Sequence, residues 1–464
     1  MLVKDYTLSF YRGARMNPRK ILVSSLLFIS WVALRSEDPR TYFIKNIKVI
    51  PVSGPVIESG SVLISDGLIL SVGADLKAPT NARIINGEKL TLYPGFFDAY
   101  NDVSALSASS GPASPSTGVP ARSAQVITGP SDRPSSNASL VLADDLRLDE
   151  KKLEAWRNGG FTHMHLVAKN GLISSRSAVV STAPNYSDSS LIKPEAAIAL
   201  GFTGGRDFAS FPNSLMGSIS YLRQTFIDLA YFEKQKDAYL KNPNGLVRPK
   251  YDKVLEGLAS AKAQGLPLII PVTTKPQIAR TIDLASGFGF NYLLQGVQEG
   301  YQATDLLANR NIGTLVAVKW PVEDPNTNPE DEPNLRTLRF RDRAPSTPSV
   351  FEKAGVPFAF SGDGITSTKD FMAAIKLAID KGLSKDAAIQ SLTLTPAKLL
   401  GLQSVVGSIE KGKIANLVIT DGEPWESKTK IKMVFIDGFK FDIPEPPATP
   451  ERPTNRPNAP SGKD

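Results

Sequence analysis

Cysteine is absent from this chain of 464 residues, and histidine occurs only at His163 and His165. The first absence excludes disulfides, thiolate zinc sites and a cysteine nucleophile. The second constrains metal chemistry, because imidazole is the commonest transition-metal ligand and carboxylates would have to complete any set. A serine hydrolase needs a histidine base beside a strained serine, and no Gly-x-Ser-x-Gly run occurs. Walker-type and dinucleotide-binding glycine loops are missing as well. Gly201-Phe202-Thr203-Gly204-Gly205 resembles a phosphate loop only faintly and follows no convincing strand. No basic stretch is interleaved with aromatics. A formal net charge of +7 spread over this length reads as a mildly basic surface and points to no nucleic-acid partner.

A hydrophobic fraction of 41% supports a substantial core, and the length suits one large domain with a smaller one. Met16-Asn17-Pro18-Arg19-Lys20 gives a basic start to the apolar run from Ile21 to Leu34, with translation beginning at Met1 or Met16. That run is short of the about 20 apolar residues a bilayer span needs. Val32-Ala33-Leu34-Arg35-Ser36 lacks a clean small-x-small cleavage pattern. Residues 1–36 therefore read as a signal peptide or an uncleaved N-terminal anchor. The protein is expected to be exported, to a periplasm or the extracellular space, and to meet membrane only through this segment.

Between residues 42 and 92 apolar, largely β-branched positions and turn residues alternate, with Asp66-Gly67 as a tight hairpin turn. The same texture returns at 405–443, with a turn at Asp437-Gly438. The two ends are expected to pair into one small β-sandwich domain. From 93 to 404 helices and strands alternate. Helices are expected at 151–158, 251–264, 276–286, 303–309, 349–354, 371–381 and 385–392. Strands are expected at 161–168, 266–272, 292–294, 313–318 and 357–360. Strand-then-helix repetition argues for parallel strands with helical crossovers, and a (β/α)8 TIM-type barrel fits the length. Ser104–Ser139 and Asp324–Pro348 read as long loops, and 444–464 as a disordered Pro-rich tail.

The run Tyr93-Pro94-Gly95-Phe96-Phe97-Asp98-Ala99-Tyr100-Asn101-Asp102 resembles the signature of the amidohydrolase superfamily, in which Pro-Gly-aliphatic-aliphatic-Asp-Ala leads into His-x-His at the end of the first barrel strand. Alternate strand residues face one way, so an i, i+2 pair can grip one metal from the barrel's C-terminal mouth. Ala155 to Thr162 resembles the approach to the next strand. Thr395-Pro396-Ala397 with Leu400-Gly401-Leu402 resembles the closing helices, and Val406 to Val418 the strand pair beyond them. The resemblance runs from about 42 to 441 and is nearest to secreted, imidazolonepropionase-like members. It implies a divalent metal, zinc or another, and hydrolysis of C–N bonds other than peptide bonds.

The ligand positions depart from that pattern. Tyr100 and Asp102 stand at the His-x-His positions, Thr273 follows the strand where a histidine would come, and Gln295 holds the next position. Asp363, in Phe360-Ser361-Gly362-Asp363-Gly364, matches the final-strand aspartate, which the resemblance makes a metal ligand and proton acceptor. His163 and His165 have ligand-like i, i+2 spacing, but spacing makes no site without converging partners, so they are taken as barrel-interior histidines. An aspartate just past a strand, such as Asp102, also commonly caps a turn.

The expected function is a non-catalytic ligand-binding or partner subunit without a cofactor. It would hold a small molecule near Tyr100, Thr273 and Gln295 and assemble with itself or with a homologous amidohydrolase subunit. The alternatives are an active metal-dependent amidohydrolase acting on cyclic amides or dipeptides, and a cell-envelope scaffold. In the active alternative Asp102, His163, His165 and Asp363 are the ligands and Asp363 is catalytic.

Overall fold

Strand-forming residues gather first at the two ends of the chain, where β-branched runs are broken by Asp-Gly turns. The computed structural model describes residues 41–107, 133–169, 171–184, 190–202, 212, 214–323 and 332–444. The expected export segment, most of the Ser/Pro-rich stretch, Thr203-Gly204-Gly205, residues 324–331 and the tail from 445 lie outside the described residues. The strands are β1 (Tyr42–Val49), β2 (Ile57–Ser65), β3 (Leu68–Gly73), β4 (Arg83–Asn86), β5 (Thr91–Pro94), β6 (Phe96–Asp102), β7 (Phe161–Val167), β8 (Ile173–Arg176) and β9 (Ala178–Ser181). They continue as β10 (Leu191–Lys193), β11 (Ile198–Leu200), β12 (Leu268–Val272), β13 (Tyr292–Gly296), β14 (Gly313–Ala317), β15 (Phe358–Ser361), β16 (Leu417–Thr420), β17 (Ile431–Ile436) and β18 (Phe439–Asp442).

The terminal strands form one sheet in the order β18-β17-β16-β5-β1-β2-β3, with β4 paired to β1. The join between the chain ends is the antiparallel β5–β16 ladder, Pro94 opposite Leu417 and Thr91 opposite Thr420. Asp66-Gly67 and Asp437-Gly438 make two-residue hairpin turns with positive φ at both residues (51° and 81°, 52° and 77°), the conformation that matches strand twist. The expected sandwich is not two separate sheets. The single sheet curls until Ile69 N–H donates to the Lys413 carbonyl (2.9 Å), just ahead of β16. Ile44, Ile47, Val62, Leu92, Leu417 and Phe435 fill the curl.

The middle of the chain is an α/β assembly of the TIM-barrel type. β11, β12, β13, β14 and β15 are parallel neighbours, and β6 and β7 form a second parallel pair. Period-two alternation divides their side chains. Ile269, Leu293, Leu315 and Ala359 pack with Phe97 and Ala99 in an inner core. Leu268, Ile270, Leu294, Val316 and Phe360 belong to the outer core, together with helix residues Leu258, Ile282 and Ile375.

One part departs from uniform strand–crossover alternation. β9 runs antiparallel to β7, and β8 antiparallel to β11. The link 168–172 is too short for a crossover helix, and without one the next strand can only turn back. Between β15 and β6 the described residues show no backbone ladder. Side chains bridge that seam, with Ser361 Oγ donating to the Tyr100 carbonyl (3.0 Å) and Asp98 Oδ1 accepting from Gly362 N–H (2.8 Å).

The stretch expected as a loop to Pro348 contains the helix Leu335–Arg343, which buries none of its residues. Asn334 starts it, its side chain accepting from Thr337 N–H (2.9 Å). A helix held by its cap and by exposed arginines leaves no apolar stripe to detect.

Candidate functional site in the barrel mouth

The parallel strands all end at one rim, and the residues just past those ends line a cavity of about 590 Å³. Tyr100 comes from β6, Lys169 follows β7, Thr273 follows β12, Gln295 lies in β13, Lys319 follows β14 and Asp363 follows β15. Leu200, Phe202 and Val272 form the apolar part of the lining.

The floor is set by Asp98, a residue the ligand spacing did not single out although it lies inside the signature run. It is fully buried, accepting from Gly362 N–H (2.8 Å), Asn101 Nδ2 (2.9 Å) and Tyr100 N–H (3.3 Å). Burial pushes its carboxyl up to about 7, against the downward pull of these three donors. Glycine is required at 362, because a Cβ there would lie 2.3 Å from Asp98 Oδ2. The same constraint holds at Gly95, where a Cβ would lie 2.0 Å from Thr162 Oγ1. The Pro-Gly-x-x-Asp pattern thus packs β6 against β7 and ties it to the loop that carries Asp363.

At the rim, Lys169 Nζ lies 2.5 Å from Asp363 Oδ1 and 3.9 Å from Asp102 Oδ2, with the Tyr100 ring centroid at 5.7 Å. Gln295 Nε2 donates to the other Asp363 oxygen at 3.0 Å. Asp102 accepts from Ser104 N–H (2.8 Å) and caps the short helix Val103–Leu106. Burial, then the charges of Asp363 and Asp102, raise the Tyr100 phenol and keep it protonated.

His163 and His165 are placed elsewhere. Both are buried in β7, and each ring has both nitrogens engaged. His165 Nδ1 donates to the Ala99 carbonyl (2.8 Å), and its Nε2 meets Ser177 Oγ at 2.7 Å, whose hydroxyl also lies 3.0 Å from the Ala197 carbonyl. His163 Nε2 meets Asn416 Nδ2 at 2.8 Å and its Nδ1 meets Thr162 Oγ1 at 2.8 Å. The Asn416 orientation follows from its Oδ1, which accepts from Asp437 N–H (2.6 Å). His163 therefore fastens β7 to the terminal sheet. Burial lowers the two rings to about 3 for His163 and about 4 for His165, so both are neutral at ordinary pH.

The structure brings Tyr100, Thr273, Gln295 and Asp363 to the mouth, with Asp102 at its edge, and leaves His163 and His165 out of it. Among the described residues no three His, Asp or Glu side chains surround a point that could hold a metal ion. The donor set does not fit a divalent metal. The imidazoles are spent on internal hydrogen bonds, and the remaining carboxylates face an ammonium. Lys169 and Lys319 were not recognised as site residues from sequence. Their only sequence signal is a lysine within two or three residues of a strand's C-terminal end.

Residues 338–441 match the model of the amidohydrolase family. An amidohydrolase from Thermotoga maritima MSB8 has a similar structure, with a TM-score of 0.68 and 22% identity over 86% of this chain and all of that one. The chain thus shares its fold with an amidohydrolase and matches the amidohydrolase family over its C-terminal part. Molinate hydrolase shares the fold at a TM-score of 0.52 and 16% identity, over 92% of this chain and all of that one. Among curated proteins, adenine deaminase 2 of Jannaschia sp. (strain CCS1) is 39% identical over 64 residues, which span 14% of this chain and 10% of that protein.

Proposed function

We propose that this amidohydrolase-family protein binds a small molecule in its barrel mouth and does not carry out metal-activated hydrolysis. One observation carries this: all four imidazole nitrogens of the chain are committed to internal hydrogen bonds. Without them the mouth offers one well-placed carboxylate, Asp363, already holding two donors. Activating water calls for a metal that lowers its pKa to near 7, and an ammonium has no empty orbital with which to do so. The cavity suits a ligand with a polar, hydrogen-bonding end toward Tyr100, Gln295, Thr273 and Lys319 and an apolar part toward Phe202 and Val272. We take the parallel strands as one barrel wall, sealed at β15 and β6 by Asp98 and Ser361. We also propose an exported protein that works as a homo-oligomer or beside a homologous amidohydrolase subunit.

The competing proposal is an active enzyme with a rearranged metal site. It draws on the local sequence match to a protein named as an adenine deaminase. Elemental analysis of the purified protein after zinc loading separates the two. Zinc well below one ion per chain is expected, together with a thermal shift from some cyclic amides or dipeptides in a binding screen and no turnover of them. About one or two ions per chain, lost in a His163→Ala/His165→Ala variant that still folds, would overturn the proposal.

A further inference from the structure

The rim of the mouth brings together two carboxylates from neighbouring walls, Asp102 at the end of β6 and Asp363 after β15, and sets one ammonium between them. Lys169 Nζ is 2.5 Å from Asp363 Oδ1 and 3.9 Å from Asp102 Oδ2, and it faces the Tyr100 ring at 5.7 Å. Gln295 holds the second Asp363 oxygen (3.0 Å), and Ser104 N–H holds Asp102 Oδ1 (2.8 Å). The carboxylates are therefore fixed by other partners before the lysine reaches them. We infer that Lys169 is the resident cation of the mouth, a covalently tethered positive charge that fills the place a divalent ion would take between Asp102 and Asp363.

The inference rests on the proposal of a metal-free mouth and gives that mouth a positive charge of its own. Two like charges confined near one another in a partly enclosed cleft repel, and a single ammonium within ion-pair reach offsets that repulsion. The lysine side chain is 43% exposed, against 20% for Asp363 and 26% for Asp102, so the charge stays accessible from the cavity. An ammonium orients and attracts but cannot polarise water to hydroxide. The mouth is thereby set to recognise a ligand by hydrogen bonds and charge, with no need to recruit a metal.

The test uses the full chain, with wild type, Lys169→Met, Lys169→Arg and the double variant Lys169→Met/Asp363→Asn, each melted in chelator-treated buffer and again with zinc chloride alone. Lys169→Met is expected to lower Tm by about 1–3 °C. Lys169→Arg is expected to keep most of the wild-type Tm, and the double variant to recover most of the loss, because it removes the uncompensated carboxylate. Zinc is expected to raise the Tm of Lys169→Met, whose carboxylates are freed, and to leave wild type unmoved. Equal melting of Lys169→Met and wild type, or no recovery in the double variant, would overturn the role of Lys169 while leaving the metal-free mouth standing. Stoichiometric zinc uptake that stabilises wild type would overturn both.

Discussion

The interior of β7 and the rim of the barrel mouth both gather polar side chains, and they do so under opposite rules. Inside β7, His163 and His165 are stripped of water, neutral, and held at every ring nitrogen by Thr162, Asn416, Ala99 and Ser177. At the rim, Lys169, Asp363 and Asp102 are charged, partly wet and joined mainly by electrostatics. A buried network is costly to leave half satisfied, whereas a wet ion pair can lose a member to solvent. The histidines therefore answer to folding, and the rim answers to whatever enters the cavity.

The largest expected effect lies in the interior. His163→Ala should cost about 2–4 kcal/mol in a denaturant unfolding measurement, because it opens a cavity and strands the Asn416 amide between β7 and the terminal sheet. A loss under about 1 kcal/mol would show that the fastening of β7 to the terminal sheet contributes little.

Next comes the pH dependence. The folded protein holds His163 and His165 at about 3 and about 4, well below the ordinary histidine value of about 6.5. The stability they contribute is complete above pH about 6.5 and is lost as pH falls, because only the unfolded chain takes up their protons. Asp98, held at about 7, works the other way: its contribution is complete below the ordinary aspartate range and is lost as pH rises through about 7. Among these three groups, two histidines against one aspartate leave one net proton in favour of unfolding between about pH 6.5 and pH 4, offset in part near the acid end by Asp437, whose carboxyl burial also raises. Stability should then fall by about 1.4 kcal/mol per pH unit on acidification. Calorimetry across that window should show Tm dropping, more steeply in Asp98→Asn. A Tm that rises on acidification would mean that Asp98 outweighs the ring pair.

The smallest effect is expected at the rim's edge. Asp102→Ala removes the cap of Val103–Leu106 and should cost about 1 kcal/mol in the same unfolding assay. It should leave the His163 and His165 pH profile unchanged. A loss as large as that of His163→Ala would erase the contrast between the two regions.

Much of the fold was legible in the residues themselves. The Asp-Gly hairpins, the strands at 292–296 and 313–317 and the helix at 385–392 follow from period, turn chemistry and capping, which are local. The signature run 93–102 pointed to the barrel's first strand and mouth. Harder to see were the reversed β8–β9 segment, whose direction depends on a link too short for a helix, and the arginine-rich helix Leu335–Arg343, which buries nothing. Lys169 escaped notice for a related reason. Nothing in its neighbours Ala168 and Asn170 marks it, and its partners lie far along the chain at 102 and 363.

By itself the sequence determined which chemistries have no means here, through zero cysteines and two histidines, and it pointed to the amidohydrolase fold through short motifs whose backbone geometry is local. Only the tertiary structure decided what the polar residues do. An i, i+2 pair of histidines looks the same on paper whether it faces a metal or a hydrogen-bonded interior. The difference lies in groups brought from Asn416, Ser177 and Ala99, and in the distance from an ammonium to two carboxylates on separate strands. Those distances depend on how the whole barrel packs, and no stretch of chain contains them.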